Sequence, residues 1–469
     1  MSDNSYHMTI VGGGITGLSA AFYLHRQIQE QGLPIQFHLI EATERLGGKI
    51  KTWRNEGFVI ELGPDSFLER KASAAQLAKD LGLEDELVRN RTGQSYIYHQ
   101  NHLVPIPEGA VMGVPTKIMP FVKTELVSWP GKLRAAADLI LPASKGNEDQ
   151  SVGDFFRRRL GDEVIENLIQ PLLSGVYSGD IDNLSLLASF PQFAKMEQQH
   201  RSLILAMKQS RPQNKQQEAP KGIFLTLKNG LETLINGMEK SLPAESIWKG
   251  TGVASLVKEE NGRYLLTMKD GRTLETDAVL LTLPHAVTEP LLAPYTSVPT
   301  LPKAKPHMVA TIAMAFPEEA LDQRLDGTGF IVPRNSGIEI TACTWAHRKW
   351  PHSTPKGKAL LRCFVGRAGE QDFMQLSDDE IVDMVLRELR KIMTIHQEPD
   401  FYRVTRLQNA IPYVVGHQAW AKEMKDRVHA ELPNVFLAGA SYEGVGVPDC
   451  IDQGKKAVTD MLATIRPGR

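Results

Sequence analysis

The chain opens on a β-type apolar run, Met8 to Val11, that ends in Gly12-Gly13-Gly14-Ile15-Thr16-Gly17. Apolar positions at helical spacing, Leu18 to Leu24, follow without a break, so strand, turn and helix are expected in that order. A second strand, Ile35 to Ile40, stops at Glu41. Phe58 to Glu61 reads as a strand closing on the rigid turn Gly63-Pro64-Asp65-Ser66. Residues 72–81 read as a helix stopped by Gly82, and residues 94–106 as a hairpin.

Beyond residue 110 the rhythm changes. Helical spacing dominates to about residue 212, including Gly131–Leu141 and Val152–Pro171, with prolines and glycines at the joints. Within it lies the apolar stretch Pro171-Leu-Leu-Ser-Gly-Val-Tyr-Ser-Gly-Asp180. Gln209 to Lys221 is polar and reads as a loop. Runs at Gly252–Lys258, Arg263–Lys269 and Thr273–Thr276, joined through Asn261-Gly262 and Asp270-Gly271, predict a three-stranded meander. Asp277 to Pro284 returns as a buried strand. Strands at Met308–Phe316, Gly337–Trp345 and Ala359–Val365, with a helix at Asp378–Met393, predict a separate sheet. Near the end, a strand from Pro433 runs into a second glycine-rich turn, Gly439 to Asp449, and a small-residue helix from Ile451 to Leu462.

A return of the chain to its first domain explains that second strand, turn and helix. The patterns together predict an α/β and α+β multidomain protein. A discontinuous Rossmann-type domain takes residues 1–66, 222–289 and 427–469, and a mixed-sheet substrate domain takes 67–109 and 290–426. A helical subdomain is inserted at 110–212. A length of 469 residues agrees, being too great for one core.

A formal net charge of −2 argues against a general nucleic-acid binder. Cys343, Cys363 and Cys450 form no Cys-x-x-Cys pair, which fits a reducing cytoplasm without a disulfide framework. The polar start, Met1 to His7, reads as no signal peptide, and the sequence contains no apolar run of the roughly eighteen residues a membrane span needs. Val111 to Val122, broken by Lys117 and two prolines, is a candidate for contact with a membrane surface, against a packed loop as the plainer reading.

The glycines carry the first chemistry. Gly12 permits the tight turn, Gly14 lets backbone approach a pyrophosphate, and Gly17 lets the helix lie close on the strand, with Gly13, Ile15 and Thr16 completing the loop. The helix N-terminus offers free N–H groups to phosphate. Glu41 is placed to accept from a ribose hydroxyl. Arg45-Leu46-Gly47-Gly48-Lys49 again brings bare backbone and positive charge to a ligand. Thirteen histidines show no metal spacing, and His99 and His102 share a hairpin by chance.

The Gly12-x-Gly14-x-x-Gly17 turn, the Arg45-x-Gly47-Gly48-Lys49 motif and the turn from Gly439 to Asp449 together resemble the fold shared by monoamine oxidases, phytoene desaturases and protoporphyrinogen oxidases. A narrower resemblance, to the Gram-positive-type porphyrinogen oxidases assigned to coproporphyrinogen III oxidation, rests on three motifs. These are Gly63 to Lys71, Pro171 to Asp180 and Tyr442 to Asp449. The resemblance implies non-covalent FAD, with Gly12 to Gly17 at the pyrophosphate and Glu41 and Ala42 at the adenosine ribose. Lys49 and Gly63, Pro64, Asp65 and Ser66 would run along the ribityl and isoalloxazine side, with Arg45 and Gly48 beside them. Val253 would meet the adenine, and Gly439, Val447, Pro448 and Asp449 would lie near the flavin. Cys450 reads as packing rather than as a flavin attachment point. Where relatives often carry an aromatic residue, this chain has Arg406-Leu407-Gln408, a less polarisable wall.

The resemblance further implies a six-electron oxidation of a porphyrinogen, in three transfers to flavin, each followed by reoxidation with dioxygen. No catalytic side chain is expected beyond the cofactor itself. A tetracarboxylate substrate calls for basic residues. Lys71 and Arg201 are the candidates, with Arg70, Lys208 and Arg211 behind them, while Leu172, Val176 and Tyr177 could line apolar walls. The alternatives are protoporphyrinogen IX oxidation, an amine oxidase or carotenoid desaturase, and a tetrapyrrole-binding flavoprotein without turnover. Brief hand-over to a ferrochelatase is a further expectation.

Overall fold

A computed structural model describes residues 5–464, apart from 92, 145, 147, 178–179, 210–221, 298, 302–307, 323–325, 368–371 and 408–412. At its centre is a five-stranded parallel sheet in the order Ile247–Trp248, Ile35–Ile40, Tyr6–Val11, Ala278–Leu281, Val435–Leu437. Ala278–Leu281 is buried at every position, as a strand covered on both faces must be. On one face the helices Ile15–Gln31, Glu232–Ser241 and Val447–Ala463 enclose Met8, Ile10, Leu18, Leu234 and Ile451. On the other, the meander Val253–Lys258, Tyr264–Met268, Thr273–Thr276 and the helix His417–Glu431 enclose Val11, Leu266, Val279 and Trp420. The first core runs past residue 66, the expected domain boundary, because Phe67, Ala74, Leu77 and Ala78 share it.

A second, seven-stranded sheet is built in the order Phe401–Leu407, Val309–Pro317, Lys358–Val365, Ile340–Trp345, Gly329–Ile331, Ser95–His99, His102–Pro105. The last two strands form the expected hairpin. Its turn residues Gln100 and Asn101 hold φ of 46° and 65°, the twist that suits a two-residue hairpin loop. One strand starts later than its apolar pattern suggests, at Ile340 rather than Gly337. Arg334–Ser336 forms a short 3-10 turn there and Gly337 is left-handed at φ 73°.

The helical unit packs around Phe155, Phe156, Leu168, Phe190 and Phe193. It is pinned by Arg159, fully buried on the helix Val152–Leu160. Arg159 pairs with Asp138 at 2.5 Å and lies 3.4 Å from Glu197, both buried, and donates to the carbonyls of Pro142 and Arg201. The stretch expected to carry substrate contacts forms the helix Gln170–Tyr177, packed on the strands Ile340–Trp345 and Gly329–Ile331. The side chains of Val176 and Tyr177, residues 178–179 and Arg211 lie outside the described residues.

The final helix begins at Val447 rather than Ile451. Gly446 caps it with extended backbone and Pro448 stands in its first turn, where proline's missing N–H costs nothing. Val447, Pro448 and Asp449 are therefore helical, not part of the preceding turn.

Candidate active site

The two glycine turns meet. Gly439 holds φ 117°, and a Cβ there would lie 3.8 Å from the Thr16 hydroxyl. The last helix crosses the first at Gly454, where a side chain would strike the Thr16 carbonyl at 2.4 Å. Gln453 holds the C-terminal turn in shape, accepting from the Gly439 N–H at 2.9 Å and donating to the Glu443 carbonyl. The sequence reading passed over Gln453 and Gly454. The signal for Gly454 was a glycine inside a helix, a position costing about 1 kcal/mol unless close packing needs it.

Within the first turn the glycines divide by role. A Cβ on Gly17 would overlap the Gly12 carbonyl at 1.9 Å, and one on Gly13 would strike Leu46 at 2.5 Å. Those two are required by the protein itself. Gly14 is different: its φ of −67° and ψ of 176° suit any residue, and a Cβ there would meet nothing within 4 Å. Open space beside the bare end of a helix is what a pyrophosphate needs, so these residues fit a dinucleotide.

Around that space Glu41 accepts from the Gly13 N–H at 2.7 Å and from Thr43 N–H and hydroxyl at 2.9 and 2.8 Å. Its own backbone pairs with Trp248 and Thr251, and Gly252 comes within contact of Ala42. This places Glu41, Ala42 and the start of the strand at Val253 together. The Gly13 carbonyl accepts from Gly47 N–H at 2.8 Å. Arg45 does not face outward as free charge. Its guanidinium binds the carbonyls of Leu46, Gly48 and Ile50 and so holds the Gly47–Gly48 loop in shape. Lys49 borders the cleft, and burial lowers its pKa.

Gly63 abuts Lys49, for a Cβ would overlap the Lys49 carbonyl at 1.8 Å. Ser66 donates to Asp65 at 2.6 Å. Burial alone would raise the Asp65 pKa, but Lys349 at 3.3 Å and Arg362 at 3.6 Å outweigh it and hold this acid below its usual range. Lys71 pairs with both oxygens of Asp449 at 2.6 Å, which clasps the Gly63 segment to the first turn of the last helix. Cys450 is buried and its thiol is pushed up to about 11, chiefly by desolvation, so it stays protonated.

Other expected residues lie elsewhere. Arg201 sits in the helical unit with its guanidinium on the Leu139 carbonyl at 3.0 Å. Leu172 is half-buried on the helix over the sheet. Arg70 is exposed. Leu407 ends the edge strand opposite Val309, and Gln408 is outside the described residues. His102 bonds Glu125 and the Gln100 carbonyl. Among the described residues there is no cluster of three potential metal ligands, and no helix is long and apolar enough to cross a membrane.

Residues 15–462 match the family model of flavin-containing amine oxidoreductases. The chain belongs to that family. It is 52% identical to the coproporphyrinogen III oxidase of Bacillus subtilis (strain 168), over 98% of this chain and 99% of that protein. The corresponding figure for the coproporphyrinogen III oxidase of Staphylococcus aureus is 41%, over 98% and 99%. A solved structure of a protoporphyrinogen-oxidase-like protein from Exiguobacterium sp. 255-15 superposes with a TM-score of 0.88 at 39% identity, covering 98% of this chain and all of that one. The chain is therefore a flavin-dependent oxidase of the α/β and α+β architecture expected from its sequence, and the resemblance drawn from its glycine motifs holds.

Proposed function

We propose that this oxidase converts coproporphyrinogen III to coproporphyrin III in haem biosynthesis, using FAD and dioxygen. The observation that carries the reading is the open space at Gly14, on a turn whose Thr16 the second glycine turn approaches at Gly439, in a protein similar over its whole length to coproporphyrinogen III oxidases. FAD supplies hydride acceptance when bound. The chain's share is placement: Gly12 to Gly17 seat the pyrophosphate, and Glu41 takes the ribose. The Lys49–Gly63 contact aligns the flavin-side turn, and the N-terminal end of the helix Val447–Ala463 offers partial positive charge. The helix Gln170–Tyr177 packs on the strands Ile340–Trp345 and Gly329–Ile331, and Leu172 would face a flat macrocycle. Oxidation removes six electrons and six protons in all, balanced by three dioxygen molecules leaving as hydrogen peroxide.

Porphyrin fluorescence that grows only with both FAD and dioxygen tests the reaction. Its absence with both porphyrinogens would leave a tetrapyrrole-binding flavoprotein without turnover. The same assay separates the two substrates, because protoporphyrinogen IX oxidation is the main alternative, ahead of another amine oxidase-like activity. Lys71→Ala is expected to raise KM for the tetracarboxylate about tenfold and for the dicarboxylate much less, a difference of about 1.4 kcal/mol. Equal effects on both substrates would remove this residue from propionate binding.

The helical unit also concentrates exposed apolar side chains: Ile118 at 71%, Met119 at 62%, Trp129 at 65%, Leu133 at 73% and Ile140 at 77%. Lys132 lies over the Trp129 ring. Apolar patches of this kind mark interaction surfaces, and we propose that this one meets a membrane surface peripherally, from the cytoplasmic side. The protein should sediment with anionic vesicles, and Trp129→Ser with Leu133→Ser should release it at least fivefold. Equal sedimentation of both would discard the surface. Transient delivery of product to a ferrochelatase belongs to the same reading.

A further inference from the structure

The residues beneath the Gly63–Ser66 turn come from the other sheet. Arg362, 6% exposed on the strand Lys358–Val365, donates to the Gly63 carbonyl at 2.6 Å. It lies 3.6 Å from Asp65. Lys349, at the end of the short helix Ala346–Lys349, reaches Asp65 at 3.3 Å. Glu61 completes the group. It accepts from Thr52 Oγ1 at 2.9 Å and from the Leu231 N–H at 2.6 Å, and with Asp65 and Arg362 it borders a partly open pocket of about 40 Å³.

A buried arginine is costly unless each charge it meets is matched. Here the match is uneven. Two cations face Asp65. Desolvation pushes Glu61 up to about 7, so near neutral pH it carries a full negative charge in only part of the molecules. Glu61 is held by the neutral Thr52 hydroxyl and Leu231 N–H, so two cations contact the single carboxylate of Asp65 beneath the turn. Arg362 stands on the seven-stranded sheet and Lys349 on the short helix that follows its strand Ile340–Trp345, while the turn belongs to the nucleotide side, so this group also ties the two parts together.

We propose that Arg362 is a positioning residue that seats the Gly63–Ser66 turn, and that Arg362 and Lys349 together make the turn's underside positive enough to favour the reduced, anionic form of a flavin lying along it. This rests on the flavin reading above. Neither side chain touches substrate; both act through the turn.

The test uses the full-length protein loaded with FAD and measures the ratio of its affinities for reduced and oxidised flavin. Arg362→Gln and Lys349→Gln should each lower that ratio about tenfold, the order of one unit charge removed at short range inside a protein, so that the midpoint potential falls. Arg362→Lys keeps the charge and should hold the ratio within about twofold of the parent, while weakening oxidised FAD through loss of the Gly63 contact. A purely architectural arginine would destabilise the protein in both variants without moving the ratio. Lys349→Gln preserves the buried arginine and keeps the test open where Arg362→Gln fails to fold. Parent-like ratios in the glutamine variants overturn this inference while flavin binding stands. A parent that takes up no FAD overturns the flavin reading as well.

Discussion

Gly14→Val is expected to give a folded protein that purifies without flavin, whereas Gly17→Ala is expected to lose the fold around the first turn. Both positions belong to one motif, yet their surroundings differ. At Gly14 the backbone is extended and a side chain would meet only open space, so valine costs the apoprotein little. Its methyl groups would occupy the volume left for a pyrophosphate. A steric conflict of roughly 3 kcal/mol is a hundredfold or more in affinity. At Gly17 even a single methyl would sit 1.9 Å from the Gly12 carbonyl, which neither chain segment can give way to without breaking the strand-to-helix turn. Circular dichroism, thermal unfolding and flavin absorbance of the purified variants read these outcomes directly. A Gly14→Val protein with full flavin content would end the assignment of this cleft. A Gly17→Ala protein as stable as the parent would show that close packing of helix on strand is not what this glycine serves.

The second large effect concerns Arg159. Its guanidinium is fully buried and paired with Asp138 and Glu197. Asp138 also accepts from the Ser202 hydroxyl at 2.6 Å and the Ile204 N–H at 3.0 Å. Arg159→Ala strips the buried Asp138 carboxylate of its counter-charge, leaves Glu197 to Arg158 at 2.7 Å, and frees the carbonyls of Pro142 and Arg201. Breaking such a group from one side costs about 3–5 kcal/mol, enough to unfold the helical unit first in a urea titration. A loss of under 1 kcal/mol would mean that the surrounding core of Phe155, Phe156 and Phe193 holds the unit by itself.

The contrast between these two predictions reflects what could be read before any coordinates. Gly14, Gly17, Glu41 and the Gly439 turn were recognisable because a strand, a tight turn and a helix follow one another within a few residues, and the conformational demand is local. The same holds for the meander, whose Asn-Gly and Asp-Gly turns announce themselves, and for the helix Asp378–Ile392 with its Ser377–Glu380 capping box. Arg45 reads from the sequence as a charge near a ligand, whereas its guanidinium holds three carbonyls of its own loop, which depends on how that loop curls. Lys71 and Asp449 were each singled out for different partners, and the structure pairs them with each other.

Motif chemistry, the rhythm of apolar positions and the approximate order of elements were therefore determined by the sequence alone, since each depends on neighbours a few residues apart. What only tertiary structure decided is which distant segments share a site. Arg362 lies under Gly63, Gly454 lets the last helix close on Thr16 of the first, and residues 67–80 join the nucleotide core. Those contacts join residues tens to hundreds of positions apart, and no local propensity encodes them. They follow from burying two sheets against shared helices, where each buried charge must find its counter-charge from whichever strand the packing brings near.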